Sequence, residues 1–415
     1  MHRLALGAVL LILVAGCSGP ATTTTSSSGP STAQSTTLHF RAPHDFGTKI
    51  APVVAAGTSC TDSVQDRDCG LGEPEIEVDS RNTVYISGTC CVTSAPPIYV
   101  SRDAGGNWSS LTTPTGVREA EGIEGDFAID ATGKVYFSDI EFAATFQVTV
   151  WDKDGTYVRH TKWPAPPLVD RDWVRAEGDG TVYYAYNTGS ATNVYKSTDS
   201  AMTFSPVYLH QAGFGLGMAV LGPKAGQYWL LGPGTSDHTD DGGTTWKVEP
   251  TTAPPGNNFV VGAFDEAGNL YVGSDRGNQI TIAERTAEGK WLPPVNVTAP
   301  ARGKMPWLAA GRDGAVAVAW YGTNASSPDH WQLNAAVSRD HGQSWESAIG
   351  DSDPVFVGDL QRDLLDFFQV EIGPDGALHI AYSSLATSEG NEEHLRYVRS
   401  EPDPTLAAVD YKNGP

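Results

Sequence analysis

The chain has 415 residues, including 45 Gly, 27 Pro and 11 Trp, and 18% of its residues are charged. This composition is typical of an all-β protein with many turns and a large core. The formal net charge of −22 at pH 7 argues against nucleic acid or an anionic lipid surface as a partner, because like charges repel.

The first 17 residues have the pattern of a leader that directs export. Arg3 precedes an apolar run from Leu4 to Leu13, and the sequence Leu-Val-Ala-Gly-Cys at 13–17 resembles a bacterial lipobox. This resemblance implies cleavage before Cys17 and acylation of its thiol, and an ordinary signal peptide is the alternative. The apolar run is shorter than the roughly 20 residues that a transmembrane helix needs. We therefore expect a lipid-anchored protein on the extracytoplasmic face of the cell membrane.

Residues 18–37 contain mostly Ser, Thr, Pro, Gly and Ala, with almost nothing to bury. Such a composition predicts a solvated tether between the lipid anchor and the folded part. No internal linker is visible after Thr37, so residues 38–415 are expected to form a single domain.

Four cysteines follow the leader. An even number in an exported chain favours two disulfides, and three pairings are possible. Metal binding is the competing interpretation, but no Cys-x-x-Cys spacing or nearby histidine supports it. The four residues are Cys60, Cys69, Cys90 and Cys91.

One eight-residue pattern occurs four times, at 101–108, 197–204, 239–246 and 338–345. Its aspartate can accept backbone N–H groups, and the Ser or Thr two residues earlier adds a local hydrogen bond. A glycine provides a backbone conformation that side chains obstruct, and a closing aromatic residue packs the turn. These features predict a tight turn between antiparallel strands. The pattern residues are Ser101, Asp103, Gly105, Trp108, Ser197, Asp199, Asp241, Gly243, Trp246, Ser338, Asp340, Gly342 and Trp345.

A longer repeat sets the architecture. Each unit has a short strand, an acidic or Gly-containing turn and a second strand rich in Val, Tyr and Ile. Periods near 40–50 residues with four strands each are typical of a β-propeller. Seven units favour seven blades, and residues 38–57 are expected to add a strand that closes the ring. The equivalent positions, called anchors below, are Tyr85, Tyr136, Tyr183, Tyr228, Tyr271, Ala317 and His379.

The four turn patterns resemble the Asp-box, or bacterial neuraminidase repeat, of sialidase-like β-propellers. The resemblance implies an all-β propeller of four-stranded antiparallel blades, and sialidases have six blades, so six remains the alternative to seven. In such blades the turns between the third and fourth strands lie away from the ligand-binding mouth. The four patterns are therefore expected to be structural.

The opposite face, where the first strands begin and the second strands end, is the predicted mouth. Carboxylates, a few arginines and several aromatic residues meet there, and concave sites of this kind are the usual position of a ligand. The competing interpretation is that these charges cap strand ends and hold one another in place. The candidate residues are Glu124, Asp126, Asp139, Arg171, Asp172, Asp275, Arg276, Trp307, Tyr321 and Asp366.

The sialidase resemblance would also imply an arginine triad that grips a carboxylate, a tyrosine nucleophile with a glutamate base, and an aspartate acid. Arg41, Arg171 and Arg276 are the candidates for the triad. Tyr321 and Tyr382 are candidates for the nucleophile by position alone, and the family's full catalytic pattern is not readable in the chain.

We therefore favour a propeller that binds a glycan or protein ligand without hydrolysing it. The alternatives are an exo-sialidase or other glycoside hydrolase, and a scaffold for assembly of an envelope complex. No cofactor or resident metal is expected. A Ca²⁺ ion in the acidic mouth is conceivable because hard cations take oxygen ligands, although no regularly spaced acidic loop supports it.

Overall fold

The computed structural model describes residues 37–47, 72–89, 96–117, 122–141, 145–166, 169–188, 191–211, 217–253, 260–297, 302–361, 363–364, 366–385 and 393–408. The leader, Cys17, nearly all of the tether and the four remaining cysteines lie outside these residues. Residues Thr37–Pro415 form one compact unit. Within the described segments, no helix has the length and apolar character needed to cross a membrane.

The described part of the chain contains 28 strands, arranged in seven sheets of four antiparallel strands. The first three sheets are blades 1, 2 and 3. Blade 1 contains β2 (Gly72–Val78), β3 (Val84–Thr89), β4 (Tyr99–Ser101) and β5 (Ser109–Ser110). Blade 2 contains β6 (Gly122–Ile129), β7 (Val135–Glu141), β8 (Thr145–Trp151) and β9 (Tyr157–Pro164). Blade 3 contains β10 (Asp170–Glu177), β11 (Thr181–Thr188), β12 (Ala191–Ser197) and β13 (Ser205–His210).

The next three blades follow in chain order. Blade 4 contains β14 (Ala219–Leu221), β15 (Tyr228–Leu231), β16 (Thr235–Thr239) and β17 (Lys247–Pro250). Blade 5 contains β18 (Val261–Phe264), β19 (Leu270–Arg276), β20 (Gln279–Arg285) and β21 (Val295–Asn296). Blade 6 contains β22 (Gly303–Ala310), β23 (Val316–Asn324), β24 (Ser327–Ser338) and β25 (Glu346–Val357).

Blade 7 joins the two ends of the folded part. It contains β26 (Gln369–Ile372), β27 (Leu378–Ser384), β28 (His394–Arg399) and, as its outermost strand, β1 (His44–Gly47). In this pair His44 lies opposite Tyr397 and Asp45 opposite Arg396. The prediction that an N-terminal segment closes the ring is confirmed.

The first strands of all seven blades surround the central axis, and each contacts the first strand of the next blade around the ring. The architecture is an all-β, seven-bladed propeller, so the predicted fold class and the favoured blade number are confirmed. The second strands are buried on both faces between neighbouring blades. Val182–Tyr186 and Val316–Trp320 are buried throughout.

Neighbouring blades are joined by a repeated hydrogen-bonded contact that follows from the anchor positions. In four of the seven blades, an acidic residue six positions before the anchor stands at the end of the first strand. Asp130 accepts from the anchor Tyr136 hydroxyl at 2.9 Å and from Gly180 N of blade 3 at 3.1 Å. Asp265 accepts in the same way from the anchor Tyr271 at 3.2 Å and from Gly314 N of blade 6 at 3.0 Å.

Glu177 makes a related contact, accepting from the Tyr183 hydroxyl at 3.0 Å and from Gly226 N of blade 4 at 2.8 Å. A buried carboxylate needs several donors to offset its loss of hydration. The acid–anchor pairs therefore satisfy polar groups while fixing blade 2 against blade 3, blade 3 against blade 4 and blade 5 against blade 6.

The four turn patterns share one geometry. The Ser or Thr hydroxyl donates to the aspartate at 2.7–2.8 Å and accepts from the backbone N–H four residues after itself at 2.8–3.0 Å. The aspartate accepts from the backbone N–H and the side chain of the residue four positions further on. Gly105, Gly243 and Gly342 have φ of 88°, 94° and 73°, and Ala201 holds the same conformation at 62°. Each turn joins the third and fourth strands of its blade.

Candidate functional site

The turns sort onto the two faces of the ring. In blades 3, 4 and 6, each turn pattern donates a backbone hydrogen bond to the turn between the first and second strands. The bonds are Ser200 N to Gly180 O, Gly242 N to Gly226 O and His341 N to Gly314 O, at 2.9–3.0 Å. Both kinds of turn therefore occupy one face, which we call the turn face. The predicted mouth lies on the opposite face.

Three aromatic side chains close the axis at the predicted mouth. Trp173 of blade 3, Trp307 of blade 6 and Phe367 of blade 7 have ring centroids 5.5–5.8 Å apart from one another. Each is at most 3% exposed. Because blades 3 and 6 lie across the ring from each other, this contact spans the axis. We call these three residues the aromatic plug.

A layer of buried carboxylates accompanies the plug. Asp126 accepts from Val174 N at 3.0 Å and forms an ion pair with Arg175. Asp172 accepts from the Tyr184 hydroxyl at 3.0 Å. Glu75 is 1% exposed, and neither of its carboxylate oxygens has a hydrogen-bond partner.

Burial is the main cause of the shifted pKa values in this layer. It raises the pKa of Asp172 to about 7, and the pKa of Glu75 and of Asp126 also rises because burial penalises the charged form. Burial and the neighbouring Asp366 carboxylate raise the pKa of Glu73 to about 8. The protonated, uncharged form of these carboxyl groups is therefore favoured where they lie close to one another.

Several of the predicted mouth residues lie inside the molecule rather than at an open surface. Asp126, Asp139, Asp172, Trp307 and Tyr321 are buried, with exposed fractions of 6% or less, because the first strands converge there and the plug fills the axis. Arg171 is paired with Asp366 at 2.7 Å. The competing interpretation, in which these charges hold one another in place, fits this arrangement better.

The other predicted mouth residues do not converge on one point. Asp139 bonds Gln147 of the neighbouring strand β8, and Asp275 accepts from Met305 N at 3.4 Å. Arg276 is exposed at the end of β19. The Glu124 side chain lies outside the described residues, although its backbone belongs to β6.

The candidate sialidase residues are also dispersed. Arg41 pairs with Glu401 at the turn-face end of blade 7, whereas Arg171 lies at the start of β10 on the opposite face. The Tyr321 hydroxyl bonds the backbone of Ser383, and the Tyr382 hydroxyl donates to Asp351. The arginine triad proposed from the sequence is therefore not assembled.

The large concave site is the central channel, which opens on the turn face. Its volume is about 920 Å³, near the upper end of the range typical of ligand pockets. Asp126, Gln369 and Trp307 line its inner end, and Pro223, Glu266 and Gly311 line its rim. With the aromatic plug at the other face, the described residues enclose a pocket that opens on the turn face.

One regular ring of side chains lines this channel, and sequence reasoning missed it. Each member lies eight positions before an anchor, on the same side of its first strand. The signal was present, because the seven anchors and the two-residue periodicity of a strand specify these positions. The ring consists of Glu77, Ala128, Arg175, Val220, Ala263, Ala309 and Glu371, and we call it the axial ring.

A group of possible metal ligands lies near the rim. Asp265, Asp313 and His341 each offer an atom within 4.8 Å of the others. The Asp265 carboxylate, however, already accepts from Asn269 N, the Asn269 side chain, the Tyr271 hydroxyl and Gly314 N. These four donors use the lone pairs that a cation would need, so the carboxylate serves the junction between blades 5 and 6.

No family model matches the chain, and no curated protein matches its sequence. Solved structures of other propellers do resemble it in fold. The GH74 enzyme of Niastella koreensis aligns with a TM-score of 0.55 at 13% identity, covering 78% of this chain and 53% of that one. The GH74 xyloglucanase of Xanthomonas campestris gives 0.51 at 12%, covering 79% and 55%.

A fungal alcohol oxidase of the AA5 family, in complex with copper, aligns with a TM-score of 0.54 at 13% identity, covering 88% of this chain and 77% of that one. The chain thus spans about half the length of the two GH74 structures. At these identities the similarity shows the fold class, which is the β-propeller, and gives no evidence about the activity of this chain.

Proposed function

We propose that this chain is an exported, lipid-anchored, sialidase-like propeller that binds a glycan or protein ligand in its central channel without hydrolysing it. One observation carries the proposal. The channel combines about 920 Å³ of volume, apolar walls and a few charged groups at its inner end, and among the described residues it opens on the turn face. Sites with these properties are where propellers and other folds most often hold a ligand.

The absence of hydrolysis is part of the proposal and rests on two arrangements among the described residues. Asp126 and Arg175, the charged pair at the inner end, are bonded to each other. The two candidate nucleophiles, Tyr321 and Tyr382, are buried between blades and make bonds there. The sialidase-like turns and the lipobox support the class and the location that we propose.

Filling the channel tests the proposal. Ala263 belongs to the axial ring, so Ala263→Trp is expected to occupy the channel and reduce ligand capture at least about tenfold. Capture is measured by glycan-array binding and by crosslinking in intact envelopes. Ala287→Trp, on an exposed turn of blade 5, is the matched control and should leave capture unchanged.

Turnover of a sialoside or another glycoside by the purified protein, lost in a variant that removes a channel carboxylate, would establish the hydrolase alternative instead. Equal capture by the Ala263→Trp variant and the unaltered protein would show that the channel is not the binding site.

A further inference from the structure

The channel carries more acidic than basic side chains. Among the described residues, its lining includes six carboxylates and two cationic groups. Of the two cationic groups, Arg175 is paired with Asp126, and Lys224 lies at the exposed rim. The remaining carboxylates are those of Glu77, Glu177, Asp265, Glu266 and Glu371.

The inner end adds a second, independent feature. Glu75 precedes the axial-ring residue Glu77 by two positions on the same side of β2, and it is almost fully buried with both carboxylate oxygens unpartnered. The negative charge of Asp126 is the second-largest cause of its altered titration, after burial. The closed end of the channel is therefore a region where added positive charge lowers the electrostatic cost.

The walls between the rim and the inner end are mostly aliphatic. Ile129, Val220, Leu221 and Leu308 line the channel, and besides the plug's Trp307 the aromatic lining residues in the described part of the chain are Phe127 and Phe264. An aliphatic wall below an acidic rim suits a side chain with a methylene stem and a cationic head, because the stem packs on apolar surface while the head meets carboxylates. Flat aromatic platforms, which suit sugar rings, are not prominent there.

We propose that the ligand of the channel is an extended basic peptide segment, with lysine or arginine side chains directed toward the closed end. This inference rests on the proposed function and specifies its ligand class. Cavity volume, charge excess and wall chemistry each favour this occupant. An acidic glycan, as the sialidase resemblance would imply, meets repulsion from the carboxylates at the rim.

The test uses the mature chain and a blocked five-residue peptide of alternating lysine and alanine. We expect calorimetric binding that is at least about tenfold tighter than binding of the same peptide with acetylated lysines. Raising NaCl from 50 to 500 mM should weaken it, since screening acts on charge attraction. The double variant E77Q/E371Q should lose about tenfold in affinity, and E288Q, on an exposed turn outside the channel, should match the unaltered protein.

A second variant keeps the inference testable if the double variant misfolds. Lys224 is exposed at the rim, so Lys224→Glu should leave the fold intact and tighten binding of the lysine peptide about threefold or more. Equal affinity for the acetylated peptide would overturn the charge inference while leaving the channel as the binding site. Tighter binding of a glucosamine oligomer than of the peptide would overturn the choice of a peptide, and no binding of any probe would overturn the inference altogether.

Discussion

At the scale of single residues, the four turn patterns show how a short sequence determines a local structure. A carboxylate and a hydroxyl two positions apart form the same bonds in every copy, although the copies differ at other positions. Hydrogen bonds from the side chain and backbone of Asn107 lower the pKa of Asp103 to about 2, and donors from Thr245 do the same for Asp241. Local hydrogen bonds thus hold the backbone of these turns in one conformation.

Replacing the aspartate of one turn should destabilise the protein modestly. Asp340→Ala removes the acceptor for Ser338, for Ser344 N and for the Ser344 hydroxyl. We expect a loss of about 1–2 kcal/mol in the free energy of unfolding, similar to removal of a helix-capping side chain. Urea denaturation measures it, with Glu288→Ala as the exposed control. A change below about 0.3 kcal/mol would contradict a structural role for the turn.

At the scale of elements, the seven first strands have two functions at once. Their two-residue periodicity directs one set of side chains toward the axis, and in blades 2, 3 and 5 their ends carry the acids that bond the next blade. Asp130 and Asp265 are buried by the blades they join, and the axial ring lines the channel between them. Blade packing and channel chemistry are therefore set by the same strands.

The buried carboxylates at the starts of these strands predict a pH dependence. A group with a raised pKa in the folded state contributes stability below its unfolded pKa, and this stability is lost as pH rises through the folded pKa. For Asp172 and Glu73 the loss extends to about pH 7 and about pH 8. Burial lowers the pKa of His379 to about 3. The stability that this histidine contributes therefore increases with pH, but only below its ordinary pKa near 6.5.

Stability should therefore fall between pH 6.5 and 8.5. We expect Tm to be at least about 2 °C lower at the upper end of this range, measured by calorimetry in low-salt buffers. The variants Glu73→Gln and Asp172→Asn should flatten the profile because they cannot ionise. A Tm that rises over this range, or a slope unchanged in both variants, would show that these carboxylates are ionised in the folded protein.

At the scale of the whole molecule, ring closure and location depend on different parts of the chain. The strand β1 brings the N-terminal side of the folded part into blade 7, so the ring is closed by hydrogen bonds between residues about 350 positions apart, such as His44 and Tyr397. The leader and tether precede this strand in sequence. The proposed anchor thus precedes, in sequence, the strand that closes the ring.

The proposed lipid anchor can be tested at Cys17, the residue that we expect to be acylated. Cys17→Ser should abolish incorporation of labelled fatty acid and release the protein from the membrane fraction, because the acyl chains supply the membrane affinity. Labelling and fractionation of producing cells measure both effects, with Cys60→Ser as the control. Retention of the Cys17→Ser variant on membranes would exclude the lipid anchor as the means of attachment.

The sequence by itself determined the repeating unit, because turn chemistry and strand periodicity are local properties. The anchors from Tyr85 to His379 predicted seven blades, and the turn patterns predicted their own position between third and fourth strands. The same anchors also specify the positions of the axial ring, eight residues earlier. These positions become recognisable once the first strand of each blade is known to face the axis.

Only the tertiary structure decided which end of the ring is open. Trp173 and Phe367 are nearly 200 residues apart in sequence, and Trp307 lies between them. Each of the three is an ordinary core residue within its own blade. They form the plug because ring closure places blades 3, 6 and 7 around one axis. Long-range convergence of this kind has no local pattern. The sequence therefore predicted a ligand site at the end that the plug closes, whereas the site that we propose opens on the turn face.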